Sequence, residues 1–473
     1  MPPQVGPVMP FRYVEVENCP SPLDRETVRQ VVAHYPFQDT AATFTCSDPQ
    51  LNDIWDLCHY TMKATSFCGV FVDGDRERTP YEADAYINQL GYYCCDREYT
   101  LARSSHEYLL EHPTWPTEWK QHSILMAWAD YLYTGDTTSL AAHYDQLKTE
   151  KLLTRAARAD GLLQINLQPG PEGRPDLVDW PVGERDGYQM RPVNTVVNAF
   201  HYRTLVCMGD LAQALGKQAE AKHFRQQAVK IREVFNEKLF DPQTALYVDG
   251  EGSRHSSLHA NMFPLAFGLV PPERRQRVAE FVKSRGMACS VYGAQYLLEA
   301  LFDNGQADHA IALMTAATDR SWRHMIRDLG TTITLEAWDT KYKPNQDWNH
   351  AWGAAPANIL PRKLMGVEPL EAGFHKVRIR PQPGSLKWAR LDLPTIRGPV
   401  HVEFQSSPAR FTLSVRLPAN TRAEVWVPAT PSSGEATVLV DGLRRRGQQV
   451  GEFLVIEPVG SGAHSFQTER GSK

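Results

Sequence analysis

The segment from Asp73 to Asp84 places acidic, basic and aromatic side chains at a density suited to catalysis. It holds five carboxylates and two arginines and directly follows the apolar run 68–72. Such charge runs are often solvated turns, but this one contains Pro80, and aromatic residues including Tyr81 and Tyr86 lie inside and behind it. Cleavage of a sugar bond needs one carboxyl group that donates a proton and others that accept hydrogen bonds from hydroxyl groups. The segment therefore predicts a site of this kind.

A second candidate cluster follows about 260 residues later. Glu336 stands between the threonine-rich run 331–334 and Trp338, and the next segment contains Asn349 and His350. A single glutamate in this position is most often a helix cap or a surface residue. The cluster therefore gains weight only in combination with the first one.

Both clusters resemble motifs of the α-L-rhamnosidases of glycoside hydrolase family 78. Arg76-Glu77-Arg78, with an Asp four residues before Glu77 and another seven after it, is similar to the family pattern Asp-Cys-Pro-x-Arg-(Asp)-Glu-Arg-x-Gly-Trp-x-Gly-Asp. The run 331–338 is similar to Thr-Thr-x-x-Glu-x-Trp, with one more residue between the threonine pair and Glu336, and 349–350 matches the Asn-His pair of the family. The sequence departs from the first pattern because Gly74 replaces Cys-Pro, the stretch before Glu77 is one residue shorter, and Pro80-Tyr81 replaces Gly-Trp.

The resemblance implies an inverting glycoside hydrolase that removes α-L-rhamnose, with Glu77 as general acid and Glu336 as general base. In an inverting enzyme the two carboxyl groups lie roughly 6.5–9.5 Å apart, with water between the base and the sugar. Glu77 then needs a raised pKa, which we expect from burial and from the neighbouring acids Asp73, Asp75 and Asp84. We expect contacts with the sugar from these residues: Asp73, Arg76, Tyr81, Asp84, Trp119, Trp180, Trp338 and His350.

Trp119 and Trp180, the two candidate sugar contacts between the clusters, could instead be core residues. Trp180 lies in a segment that resembles the Gly-Asp-Trp element of the family, and Trp119 matches a family aromatic residue more weakly, but either could be a core residue. Glu184 and Asp186 belong to the same loop region and could line the pocket or lie at the surface. His255 and His259 have the spacing of metal ligands on a helix but no third partner, so we expect them to be structural and expect neither a metal nor another cofactor.

Two kinds of periodicity divide the chain. From about 48 to 362, apolar residues recur at helical spacing with about ten to twelve helices, including windows at 273–286, 293–303, 306–317 and 347–360. From Gly366 onward, short alternating runs with turn signals predict an antiparallel β-sandwich. The resemblance implies an (α/α)6 barrel (a six-hairpin toroid) followed by this β-domain.

We therefore expect a catalytic helical domain at 41–364 and a β-sandwich domain at 365–473. Residues 11–16 alternate like a strand and resemble the final strand of the β-domains that precede the catalytic domain in this family, which implies that residues 1–40 are the remnant of such a β-domain with a linker. A Pro/Gly-rich loop is expected at 168–175.

Composition narrows the function further. A net charge of −5 argues against a nucleic-acid partner, and no apolar run is long enough for a membrane span. The eight cysteines lack zinc-type spacing and are expected to be reduced and mostly buried. The N-terminus shows no signal peptide, which predicts a cytoplasmic protein as written, or a periplasmic or secreted one if the N-terminus is truncated. Oligomeric state is not predicted.

Two other functions compete with this prediction. An inverting glycosidase or uronyl hydrolase of the same fold would act on a different sugar. A carbohydrate-binding protein on a decayed glycosidase fold would bind without cleavage. Release of an aryl leaving group from an α-L-rhamnoside separates these alternatives.

Overall fold

The computed structural model describes residues 11, 13–74, 76–165, 176–429 and 437–469. A helical region comes first and a β-region second, which is the predicted order. The helices are α1 (Pro49–Thr65), α2 (Glu82–Cys95), α3 (Thr100–Glu111), α4 (Thr117–Thr134), α5 (Thr138–Gln146), α6 (Thr195–Ala214), α7 (Gln218–Lys238), α8 (Leu258–Ala266), α9 (Pro272–Arg285), α10 (Val291–Asp303), α11 (Ala307–Met314), α12 (Trp322–Arg327) and α13 (Pro356–Ile359).

The helices start and stop where their capping residues predict. The Asp48 side chain accepts the backbone N–H of Gln50 at the start of α1, and Pro49 occupies the first turn. Gly135, in the left-handed region at φ 75°, ends α4. Neighbouring helices pack as α2 with α4, α4 with α6, α6 with α7, and α8 with α10, around a continuous apolar core.

The β-region consists of two sheets. Its strands are β4 (Val367–Pro369), β5 (Lys376–Ile379), β6 (Trp388–Leu393), β7 (Val400–Ser406), β8 (Arg410–Leu417), β9 (Arg422–Pro428), β10 (Thr437–Val440), β11 (Leu443–Arg446), β12 (Gln448–Val450), β13 (Phe453–Val459) and β14 (Gly462–Glu469). Three short strands precede them: β1 (Thr43–Cys46), β2 (Phe240–Asp241) and β3 (Leu246–Tyr247). One sheet has the order β1-β6-β7-β8-β14-β10-β11 and the other β12-β13-β9-β5-β4. All pairs in these sheets are antiparallel except β5 with β9.

One strand crosses the expected domain limit. β1 precedes the first helix in the chain, yet it pairs with β6 of the C-terminal region, from Thr43 opposite Asp392 to Cys46 opposite Ala389. Phe44 and Cys46 are buried there.

The structure corrects two sequence-based expectations. Residues 11 and 13–16 form no strand and are exposed, because alternation alone makes no strand without a partner to pair with. The helical window at 347–360 begins only at Ala351, since 347–350 are an irregular segment of the site described below. The loop expected at 168–175 and the acid Asp75 lie outside the described residues.

Two further findings concern membranes and thiols. Within the described part of the chain, no helix has the length and apolar character needed to cross a membrane. Seven of the eight cysteines are buried, and Cys19 is exposed.

Candidate active site

Three long loops between helices converge on one cavity of about 300 Å³. They are the segments 66–81, 176–194 and 328–350. The cavity is lined by Asp73, Arg76, Glu77, Tyr81, Asp84, Trp115, Trp119, Leu177, Trp180, Glu336, Lys343, Asn345, His350 and Trp352. The two sequence clusters, far apart along the chain, thus meet at one site.

The first loop, 66–81, is held by hydrogen bonds between its own residues and packs against Asp347 next to the second cluster. Asp73 donates its backbone N–H to the Thr79 carbonyl, and its carboxylate accepts the Thr79 N–H, each at 2.9 Å. A Cβ on Gly74 would lie 2.3 Å from Oδ2 of Asp347. Glycine therefore permits the close approach of this shortened loop to Asp347, which explains the departure from the family pattern at this position.

Glu77 is one third exposed and held by two donors. The Tyr81 hydroxyl donates to Oε2 at 2.8 Å, and Arg76 contacts Oε1 at 2.6 Å. Partial burial favours the protonated acid, but the bonds from Tyr81 and Arg76 outweigh it and lower the pKa of Glu77. The expectation of a raised pKa for Glu77 is therefore wrong in this structure.

The raised pKa belongs to Asp73 instead. Burial is the main cause and, with the charges of Asp84 and Glu77, raises the pKa of Asp73 to about 7, although His350 opposes this. Burial also raises the pKa of Asp84, against the opposing effect of His350. Nε2 of His350 lies 2.6 Å from Oδ1 of Asp84. Burial opposes the charged ring, but Asp84 outweighs it and raises the pKa of His350.

Glu336 faces the first cluster from the third loop. Its side chain is almost fully buried, and Oε2 accepts the Lys343 ammonium and the Asp347 backbone N–H, both at 2.9 Å. Arg76 lies 3.7 Å from the same oxygen. One guanidinium therefore contacts both Glu77 and Glu336, and the two carboxylates share a single cavity.

Aromatic side chains form the walls. Trp119 lies edge-on to Tyr81, with ring centroids 5.4 Å apart, and edge-on to Trp352 at 6.2 Å. Trp180 is half-buried, while Trp115 is 49% exposed at the mouth of the cavity. Flat apolar surfaces of this kind suit the apolar face of a sugar ring.

The Trp180 loop is anchored by buried carboxylates. Asp179, fully buried, accepts the Trp180 N–H at 2.8 Å, the Ser290 N–H at 3.0 Å, and a 2.6 Å contact from Nε2 of His259. Glu118, also fully buried, accepts the N–H groups of Leu177 and Val178.

Other predicted residues lie away from the cavity. Trp338 is fully buried, packs edge-on against Trp322 and donates its indole N–H to the Cys289 carbonyl, so the predicted sugar contact of Trp338 is wrong. Glu184 pairs with Arg320.

The remaining candidates from the loop and the histidine pair also have partners within the protein. Asp186 pairs with Arg285, and His255 bonds Asp249 at 2.6 Å. Like His259, which bonds Asp179, His255 has a structural partner as expected.

Five lining residues escaped the sequence analysis: Trp115, Leu177, Lys343, Asn345 and Trp352. Lys343 and Asn345 follow Glu336 in a polar loop, where nothing in the residue pattern distinguishes them from surface residues. Trp115, next to Pro116 and four residues before Trp119, carried a usable signal, since tryptophan is rare on exposed loops.

Comparison with known proteins places the chain. Residues 39–364 match the family described as bacterial alpha-L-rhamnosidase 6 hairpin glycosidase domain, and residues 366–440 match the bacterial alpha-L-rhamnosidase C-terminal domain. An alpha-L-rhamnosidase of Streptomyces avermitilis is 28% identical over 367 residues, covering 74% of this chain and 32% of that protein. One of Formosa agariphila is 21% identical over 457 residues, covering 88% of this chain and 47% of that protein. The chain thus spans less than half the length of these curated relatives.

Solved structures show the same fold. The alpha-L-rhamnosidase from Dictyoglumus thermophilum superposes with a TM-score of 0.75 at 22% identity, over 92% of this chain and 51% of that one. The Streptomyces avermitilis alpha-L-rhamnosidase complexed with L-rhamnose gives 0.73 at 21% identity, over 92% of this chain and 42% of that one. The predicted fold class is confirmed, and because one family profile covers more than half of the residues, the chain belongs to the bacterial α-L-rhamnosidase six-hairpin glycosidases.

Proposed function

We propose that this chain hydrolyses terminal α-L-rhamnosides with inversion, using Glu77 as general acid and Glu336 as general base. The observation that carries the proposal is the position of Arg76, which contacts Glu77 at 2.6 Å and Glu336 at 3.7 Å within one cavity. Paired carboxylates across a sugar-sized cavity are the minimum that glycoside hydrolysis requires. A relative of the same fold has been solved with L-rhamnose, which supports rhamnose as the sugar.

The surroundings of Glu336 suit a base. A general base must be ionised to accept a proton from water. The Lys343 ammonium and the Asp347 N–H both bond Oε2 and place positive charge beside it. We assign Oε1, which carries neither of these bonds, as the oxygen that takes the proton.

Glu77 is protonated, as a general acid must be, when substrate is bound. The pKa of Glu77 is lowered in this structure because Tyr81 and Arg76 bond the carboxylate. A sugar in the cavity displaces water from the exposed third of Glu77 and strengthens the repulsion from nearby carboxylates, and both effects favour the proton. The glycosidic oxygen then takes that proton as the bond breaks.

Asp73 is the rival for the acid role. It lines the same cavity, and its pKa of about 7 suits proton donation near neutral pH. Its carboxylate is, however, committed to the Thr79 N–H at 2.9 Å. We assign Asp73 to binding sugar hydroxyls, and the following experiment separates the two roles.

The test uses aryl α-L-rhamnosides whose leaving groups span a range of basicity. Loss of a general acid slows poor leaving groups most, whereas loss of a general base slows all of them. We expect Glu77→Gln to cost about 10²–10⁴-fold with a poor leaving group and much less with a good one. We expect Glu336→Gln to cost a similar factor with every substrate.

Variants of two other acids supply the control and the contrary outcome for this test. Glu184→Gln, a buried acid paired with Arg320 outside the cavity, should leave the dependence on leaving group unchanged. If Asp73→Asn rather than Glu77→Gln shows the selective loss, Asp73 is the acid. Binding of L-rhamnose without turnover of any aryl rhamnoside would instead favour a non-catalytic binding protein, and turnover of only another glycoside would change the sugar.

Stereochemistry tests the base. Proton NMR during early turnover should show the β-anomer of rhamnose released first from an α-linked substrate. Initial release of the α-anomer would mean retention and would remove the water-activating role of Glu336.

A further inference from the structure

We propose that Glu336, Asp347 and His350 form a binding site for a divalent transition-metal ion, with Zn²⁺ as the probe. One donor atom from each residue lies within 4.8 Å of the other two, and all three side chains are buried. Glu336 and His350 line the cavity, whereas Asp347 is not among its lining residues, so the site adjoins the cavity.

Each of the three residues has one polar atom engaged by the protein and one left over. The engaged atoms are Oε2 of Glu336, which accepts Lys343 and the Asp347 N–H, Oδ1 of Asp347, which accepts the Arg76 N–H at 3.0 Å, and Nε2 of His350, which contacts Asp84. Among the described residues, Oδ2 of Asp347 and Nδ1 of His350 have no hydrogen-bond partner. The bonds of the Glu336 side chain to Lys343 and Asp347 both fall on Oε2, so we assign Oε1 as its metal ligand.

Two of these remaining atoms are buried, which makes their lack of partners informative. Oδ2 of Asp347 and Nδ1 of His350 belong to side chains only 3% exposed, and they lie 3.9 Å apart, too far for a hydrogen bond. Buried polar atoms are mostly satisfied, so this pair of unpartnered atoms supports a site for a ligand that satisfies both. A small cation between the atoms would satisfy both.

The donor set fits a borderline metal ion. One imidazole and two carboxylates match zinc sites with three protein ligands and an open position. Zn²⁺ bonds of about 2.0–2.2 Å need ligand atoms roughly 3–3.5 Å apart, so modest side-chain rotations must draw the three atoms inward.

The position of Asp84 supports the same ligand. A metal-binding histidine usually gives its other ring N–H to a carboxylate, which fixes the tautomer and aims the free nitrogen at the metal. Nε2 of His350 lies 2.6 Å from Oδ1 of Asp84, with both side chains almost fully buried. When the ring is neutral and donates its Nε2–H to Asp84, the lone pair is on Nδ1 of His350.

Nearby positive charges lower the affinity of the site for a metal ion, and the backbone of Gly74 restricts access to it. Arg76 lies 3.7 Å from Oε2 of Glu336 and 3.8 Å from Oδ1 of Asp347, and Lys343 bonds Glu336, so nearby cations weaken the attraction for a metal. Gly74 covers Oδ2 of Asp347 from one side. The ion therefore enters from the cavity, past Glu336 and His350.

A bound ion would inhibit the reaction. It would occupy Oε1 of Glu336, which is the atom assigned above to accept a proton from water. This consequence rests on the proposed function, whereas metal binding itself does not. The two are therefore measured separately.

The test is calorimetric titration of metal-free protein with Zn²⁺, together with the rise in melting temperature that binding to the folded state produces. We expect Asp347→Asn and His350→Gln each to weaken Zn²⁺ binding at least tenfold, and Asp84→Asn to weaken it about 10–100-fold. His324→Gln is the matched control, because His324 contacts two carboxylates at 2.8 Å outside the cavity and its loss should leave binding unchanged.

The outcomes distinguish the two proposals. Unchanged affinity in folded Asp347→Asn and His350→Gln, or loss of binding in His324→Gln alone, overturns the metal site. Zn²⁺ binding that follows the predicted variants in a protein without rhamnosidase turnover supports the site and contradicts the proposed function. Turnover that is insensitive to Zn²⁺ in a protein that does not bind it overturns the site and leaves the function standing.

Discussion

Replacement of Glu118 by Gln should change how stability depends on pH. The Glu118 carboxyl group is fully buried in α4, next to the cavity residue Trp119, and accepts the N–H groups of Leu177 and Val178. Burial, with the charge of Asp176 added to it, raises the pKa of Glu118 to about 7 from an ordinary value of 4.5. Gln keeps the shape and one acceptor oxygen but cannot ionise.

The direction follows from the raised pKa. A folded state that binds the proton more tightly than the unfolded chain gains stability at low pH. The stabilisation is complete below about pH 4.5 and is lost as pH rises through about 7. At about 1.36 kcal/mol per pKa unit, the loss amounts to about 3 kcal/mol.

Melting temperatures measure this loss. With an unfolding entropy of about 2.1 cal/mol/K per residue, 3 kcal/mol corresponds to about 3 °C for a chain of 473 residues that unfolds as one unit. Scanning calorimetry should measure the melting temperatures of the wild type and of Glu118→Gln from pH 4.5 to 8. Relative to the variant, the melting temperature of the wild type should fall by this amount as the pH rises. The raised pKa of Asp176, about 6, is present in both proteins and largely cancels.

Two results would refute this reasoning. A difference between wild type and Glu118→Gln that stays constant with pH would mean that Glu118 does not titrate in the folded state in this range. Asp176→Asn serves as the companion variant, because removal of its charge should move the loss of stability to lower pH. An unchanged midpoint in that variant would remove Asp176 as a cause.

Three further variants test the cavity. Tyr81→Phe removes a bond that lowers the pKa of Glu77, so the basic limb of the kcat/KM–pH profile should move to higher pH, and a shift to lower pH would contradict this. Trp180→Ala should weaken L-rhamnose binding in calorimetry by about 1–3 kcal/mol with little change in melting temperature; early melting with normal binding would make it a core residue. Gly74→Ala would place a Cβ 2.3 Å from Oδ2 of Asp347 and should lower kcat about 10–100-fold, whereas normal turnover would show that the loop relaxes freely.

The sequence predicted the principal carboxylates because their types and order along the chain form a pattern that does not depend on the loops. Asp73, Glu77, Asp84 and Glu336 all line one cavity. The pKa of Glu77 was not predictable in the same way. Its direction depends on whether Arg76 points towards the carboxylate or away from it, and only the folded loop determines that.

The errors have similar causes. Trp338 shares its motif with Glu336, but the chain bends at 336–339, so that Glu336 lines the cavity while Trp338 lies in the core. Lys343 reaches Glu336 only because the loop folds back over seven residues. Residues 11 and 13–16 share the alternation of a strand but form none in the structure, because alternation alone does not make a strand.

The pairing of β1 with β6 has a consequence for dividing this protein. A cut after residue 364, where the family profile of the helical domain ends, would separate Thr43–Cys46 from the strand that completes its hydrogen bonds. The severed helical part would carry an open strand edge with Phe44 uncovered, which is a template for aggregation. The helical part and the β-region are therefore best treated as one inseparable folding unit. The border between the two parts in the sequence is not the border between them in the structure, because β1 belongs to a sheet of the β-region.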